Sequence, residues 1–192
     1  MQDYFLGELS HLHGVNGSDE LSENLINNIV KQIKWAKKNK LPIICLEYDD
    51  LCYEDDGYSA VITHKTIRKN LYKYPLKWYA KKDTDNGYEE VMDVLQGIEP
   101  RKGLRDGKLQ KLISKKTKMT FRVCGVNLSA CVSETICDMI KFSHNVEIVQ
   151  GTVRNVFDDR LITDYEEPFN DCRIMTCEES LDNVEMFLES HS

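Results

Sequence analysis

The run PIICLEY, from Pro42 to Tyr48, narrows the possible folds more than any other stretch of this 192-residue chain. Its apolar residues are continuous rather than alternating, which is the pattern of a strand covered on both faces. An amphipathic helix comes directly before it. Over residues 19–39, Leu21, Leu25, Ile29 and Ile33 share one face, flanked by Ile26, Val30 and Ala36, while Lys and Asn residues fill the other side. Ser18 or Ser22 suits its start, and Lys37, Lys38 and Lys40 suit the negative end of its dipole. A helix followed by a doubly buried strand is the unit of a parallel sheet sheathed in helices.

The same alternation continues downstream. Thr63–Tyr74 reads as helix ending before Pro75, and Lys77–Lys81 as strand. A turn through Asn86 and Gly87 leads to a helix over Glu89–Leu95, with Gly97 at its C-terminal cap. Then come a strand at Met119–Cys124, a helix at Cys131–Phe142, strands at Val146–Gln150 and Cys172–Thr176, and a closing helix at Ser180–Leu188. Asp49–Tyr58 reads as an acidic loop, and 98–117 as a surface loop with one short helix. Neither a repeat nor a linker interrupts the series. The expectation is one α/β domain over residues 1–192, a three-layer α/β/α, doubly wound, mainly parallel sheet.

Charge and cysteine usage exclude several classes. A net charge of −7 argues against a general nucleic-acid binder, which needs a basic face. The basic clusters Lys31–Lys40 and Lys108–Lys118 read as solvated helix faces. Apolar runs stay well short of the roughly 20 residues that cross a bilayer, so no membrane partner is expected. Seven cysteines, an odd number without a Cys-x-x-Cys pair, read as free thiols. With a polar N-terminus and no secretory leader, the expected compartment is the reducing cytoplasm.

Phe121–Thr135, FRVCGVNLSACVSET, carries the chemistry. It reads as a short strand, a tight turn at Gly125, and a helix beginning near Cys131. A sulfur at that junction lies beside unpaired N–H groups and the positive end of the helix dipole, which favour the thiolate. The competing reading is a packed structural cysteine.

GVNLSACVSET resembles the nucleophile motif of the isochorismatase-like cysteine hydrolases, a superfamily that includes nicotinamidases and carbamoylsarcosine amidohydrolases. Gly125, Val126, Cys131, Val132 and Thr135 fall in register, and Leu128 stands where a Thr is usual. The resemblance also implies a catalytic lysine at the end of an earlier strand. KWYAKKDTDNGYEEV supplies it as Lys82, followed by Asp85, Asn86, Gly87 and Tyr88, with Lys81 the alternative register. The third implied member is an aspartate on an opening strand in the middle of the sheet. MQDYF matches the residues after that aspartate, so both it and its strand are expected upstream of Met1, with Asp3 out of register.

What the resemblance implies is hydrolysis of a C–N, amide-type bond of a small molecule through a Cys131 thioester. Lys82 would hold the thiolate, and the backbone N–H groups of Asn127 and Cys131 would bind the oxyanion across a cis Val126–Asn127 peptide. Glu47, Tyr48 and Tyr88 are candidate substrate contacts at strand ends, with core packing as the competing role. LEYDDLCYEDD lacks the histidine of a nicotinamidase metal site, and His11 and His13 have no further ligands nearby. Neither metal nor cofactor is therefore expected. The resemblance implies a homo-oligomer, dimer or tetramer. Two alternatives stand beside it: a catalytically impaired binding or scaffold protein of the same fold, and a redox-sensing thiol protein using Cys124 or Cys137 as resolving thiol.

Overall fold

A computed structural model describes residues 19–48, 63–97, 118–155 and 162–182. Helix α1 (Asp19–Lys38) leads into β1 (Ile43–Tyr48), and α2 (Lys65–Leu71) into β2 (Lys77–Lys82). Then follow α3 (Tyr88–Gln96), β3 (Thr120–Gly125), a π-helical turn (Leu128–Val132) that runs into α4 (Ser133–Lys141), and β4 (Asn145–Val153). The series ends with two single 3₁₀ turns, β5 (Arg173–Met175) and α5 (Cys177–Asp182). The acidic loop, the 98–117 segment, Asp3, His11, His13 and the later part of the closing helix lie outside the described residues.

Every described strand pairing is parallel. β1 pairs with β2, and β3, β4 and β5 pair in that order. Alternate residues of each strand face opposite helical layers. Ile43 and Cys45 of β1, Tyr79 of β2 and Cys124 of β3 pack against Leu25, Ile29 and Ile33 of α1 and Ile67 and Leu71 of α2. Ile44, Leu46, Trp78, Phe121 and Val123 pack on the other face, against Val91 and Leu95 of α3 and Ile136 and Met139 of α4. Helices cover both faces of both groups of strands, which is the doubly wound three-layer arrangement expected. PIICLEY is less enclosed than its composition suggests: Ile43–Leu46 are half-buried, and among the described residues β1 is paired along one edge.

Local signals explain the element ends. The imidazole of His64 accepts the Thr66 N–H and starts α2 two residues later than expected. Tyr74, expected inside that helix, instead donates its hydroxyl to the Leu41 carbonyl at 2.6 Å. Gly97 closes α3 in the left-handed conformation, as its position suggested. The last helix starts before Ser180. Thr176 Oγ1 accepts the Glu179 N–H while Glu179 Oε2 accepts the Thr176 N–H, a reciprocal capping box missing from the sequence reading.

One buried polar network ties the outer helices to the sheet. Arg122 on β3 donates to Glu147 on β4 at 2.9 Å, to Gln32 of α1 at 3.0 Å and to the Ser180 carbonyl of α5 at 3.0 Å. Its guanidinium lies 4.0 Å from the Trp35 ring centroid. No helix among the described residues is long and apolar enough to cross a membrane.

Candidate active site

The site forms where the loop after β2 meets the turn and helix after β3, beyond the carboxyl ends of parallel strands, where ligands characteristically bind. Each strand delivers one arm of it.

Lys82 is the last residue of β2. Its neighbour Lys81 faces the opposite side of the strand, and Lys82 alone of the two is buried. The chain curls around its ammonium, which donates to the carbonyls of Thr84 at 2.7 Å and Asp85 at 2.8 Å. Asn86 ends this loop: its Oδ1 accepts the Tyr88 N–H and so caps α3, while its Nδ2 donates to Asp138 of α4 at 2.7 Å. Gly87 keeps this spot tight: a Cβ there would sit 2.4 Å from Leu46 Cδ1 and would require that side chain to move.

The second arm leaves β3 at Gly125, whose φ of +155° is a conformation that glycine reaches readily. The Val126–Asn127 peptide that follows is cis. The Leu128 N–H then donates to the Arg154 carbonyl and the Arg154 N–H to that of Gly125, binding the turn to the segment leaving β4. Ser129 reaches Asn155, which in turn donates to the Tyr165 hydroxyl at 2.9 Å. The helix does not begin at Cys131, as the sequence suggested, but at Leu128. A π turn closed by the Val132 N–H on the Asn127 carbonyl places Cys131 fourth in the helix.

The Gly87 N–H of the first arm donates to Thr135 Oγ1 of the second at 3.0 Å, and Cys131 Sγ donates back to Asp85 Oδ1 at 3.2 Å; within the second arm, Thr135 Oγ1 donates to the Cys131 carbonyl at 2.7 Å. Burial pushes the Cys131 thiol above its ordinary pKa, the Lys82 ammonium pulls it back by charge and hydrogen bonding, and the Asp85 carboxylate pushes it up again. The net direction is upward, so burial and the Asp85 carboxylate oppose the thiolate that a helix start favours.

The other sequence candidates differ in their surroundings. Glu47 is buried, accepts the Thr63 N–H at 2.8 Å and pairs with Arg68 at 2.6 Å. Burial opposes its charge, but Thr63 and Arg68 outweigh it and hold the carboxyl below the usual range. Tyr88 is buried, stacked on Phe142 at 5.0 Å, with its hydroxyl 3.0 Å from His144 Nε2, near the end of α4 remote from Cys131. Tyr48 is paired with Lys82 in the β1–β2 register. No group of three His, Cys, Asp or Glu side chains among the described residues is placed to hold a metal ion. Sequence reasoning missed Asn155 as a brace of the nucleophile turn; no neighbouring motif marks it. Asp85 appeared only as a residue behind the lysine, since its contact with Cys131 crosses 46 positions.

No family model matches the chain, and no curated protein matches it in sequence. Among solved structures, the fold matches the N-carbamoylsarcosine amidase of Thermoplasma acidophilum with a TM-score of 0.58 and 14% identity. The match covers 96% of this chain and 94% of the amidase. The chain has the isochorismatase-like fold that Phe121–Thr135 led us to expect.

Proposed function

We propose that this chain is a cysteine hydrolase that cleaves a C–N, amide-type bond of a small molecule. The observation that carries the reading is the position of Cys131 Sγ, between the Lys82 ammonium and the Asp85 carboxylate on a fold shared with an amidase. In the reaction, sulfur bonds to the carbonyl carbon and the carbonyl electron pair moves to oxygen. Collapse expels the nitrogen group and leaves a thioester, which water hydrolyses to the acid and free thiol. Lys82, held in place by two carbonyls, stabilises the sulfur as charge develops on it. The backbone N–H groups of Asn127 and Cys131 serve as oxyanion donors.

The same reading takes residues 1–192 as one domain, assembling as a dimer or tetramer in the reducing cytoplasm. The amidase relative makes N-carbamoylsarcosine the first substrate to try, with ammonia release as the readout and Cys131→Ala as control. Ammonia release that Cys131→Ala abolishes supports the proposal. Release that survives the substitution defeats it.

The raised thiol pKa favours a second reading, a non-catalytic binding protein on this fold. That reading requires Cys131 to react with p-nitrophenyl acetate no faster than a simple thiol and without turnover, and repeated p-nitrophenol release that Cys131→Ala abolishes rules it out.

A further inference from the structure

We propose that Asp85 is the catalytic proton carrier of this site, taking the thiol proton from Cys131 and passing it to the departing nitrogen. The proposal rests on the hydrolase reading above and adds a residue to it. Three observations carry it. The thiol already donates its hydrogen bond to Asp85 Oδ1 at 3.2 Å, so the proton has a defined acceptor. Asp85 is exposed, while Lys82 beside it is buried, so this carboxylate reaches both the sulfur and the solvent from which substrate and water arrive. Its backbone carbonyl holds the Lys82 ammonium at 2.8 Å, so one residue fixes the cation and presents the base.

The proton account closes. The Asp85 carboxylate accepts the S–H proton as the S–C bond forms. The resulting carboxylic acid gives that proton to nitrogen as the C–N bond breaks. An attacking water then loses a proton to the carboxylate, the thioester collapses with sulfur leaving as thiolate, and Asp85 returns the proton to sulfur. A helix dipole can stabilise a thiolate but carries no proton to nitrogen, so a group able to bind and release one is needed for an amine or ammonia to leave.

Two probes with the same acyl group isolate that step. p-Nitrophenyl acetate expels a phenolate that leaves unprotonated, whereas p-nitroacetanilide must expel a protonated nitrogen. Acetylation of Cys131 by each is followed in the whole protein, in Asp85→Asn and in Asp85→Ala, together with the pH dependence of Cys131 alkylation by iodoacetamide. Both substitutions leave the backbone carbonyl on Lys82 in place. The expected result is that the variants lose the anilide rate by about a hundredfold or more and by a far larger factor than the ester rate, and show a lower alkylation midpoint. Ester and anilide rates falling by the same factor, both staying unchanged, or a parent protein that takes acetyl from the ester and none from the anilide overturns the proposal. So does an unchanged alkylation midpoint. A parent Cys131 that is alkylated but acetylated by neither probe marks instead the failure of the hydrolase reading.

Discussion

Thr135 Oγ1 accepts the Gly87 N–H at 3.0 Å, one of the bonds that join the helix carrying Cys131 to the loop carrying Asp85. Both groups are buried, and the same hydroxyl donates to the Cys131 carbonyl. Thr135→Val keeps the shape and removes both bonds. It leaves the Gly87 N–H without its acceptor, so it should lower stability by about 1–3 kcal/mol in urea denaturation. Thr135→Ser should restore most of the loss. If both variants match the parent, the bond does not hold the arms together.

Lys82→Met removes a buried cation whose charge lowers the Cys131 pKa and whose ammonium satisfies two carbonyls. The alkylation midpoint of Cys131 should therefore rise. Stability should fall by about 1–3 kcal/mol as those carbonyls lose their donor. A midpoint that stays put would separate Lys82 from the sulfur.

In the unmodified protein, the Cys131 thiol should titrate above the roughly 8.5 of a free thiol, because burial and Asp85 together outweigh Lys82. Its alkylation at neutral pH should be slower than that of a simple thiol and should keep increasing into alkaline solution. A midpoint below the free-thiol value would show that the helix start dominates after all.

Cys45 gives the fold an alkaline limit. Burial raises its pKa from 9.0 to about 11, so between those values the folded state binds a proton that the unfolded state has released. Its contribution is fully present below pH 9.0 and is lost as pH climbs towards about 11. The urea midpoint should drop across that window, and it should drop less in Cys45→Ala than in the parent.

Removing Arg122 should be the most damaging of these changes. Glu147 is buried and accepts two nitrogens of that guanidinium, at 3.2 and 2.9 Å, while Arg173 approaches it only to 3.5 Å. Arg122→Met should cost about 3–5 kcal/mol by leaving a buried carboxylate short of its partner. Thermal unfolding of the double variant with Glu147→Gln should recover part of it.

Periodicity made much of this fold readable. Leu25, Ile29 and Ile33 recur at helical spacing, and the continuous apolar run at Pro42–Tyr48 has few other uses than a sheet between two layers. What stayed hidden was side-chain pairing across long separations. Gln32 and Trp35 are not among the residues that mark the apolar face of α1, yet both are buried, because Arg122 on β3 and Ser180 on α5 meet them there. At the site, Cys131 and Lys82 stand in recognisable local patterns. The role of Asp85 depends on how far the loop after β2 curls, which is set by the Lys82 ammonium drawing in its two carbonyls. The thiol's proton affinity was likewise illegible, since burial and the Asp85 contact are tertiary.

The space beside Gly87 also bears on how chains of this kind can diverge. A methyl group there would meet Leu46 at 2.4 Å and the Lys82 side chain at 3.2 Å, so a substitution at position 87 requires the Leu46 side chain to move. A relative with alanine at this point should show the residue at 46 either turned to another rotamer or replaced by a smaller one, a coupling between the first described strand and the loop that ends the second. Position 46 thereby joins two demands: the side chain that packs on α3 and α4 also limits what the lysine loop can carry at position 87.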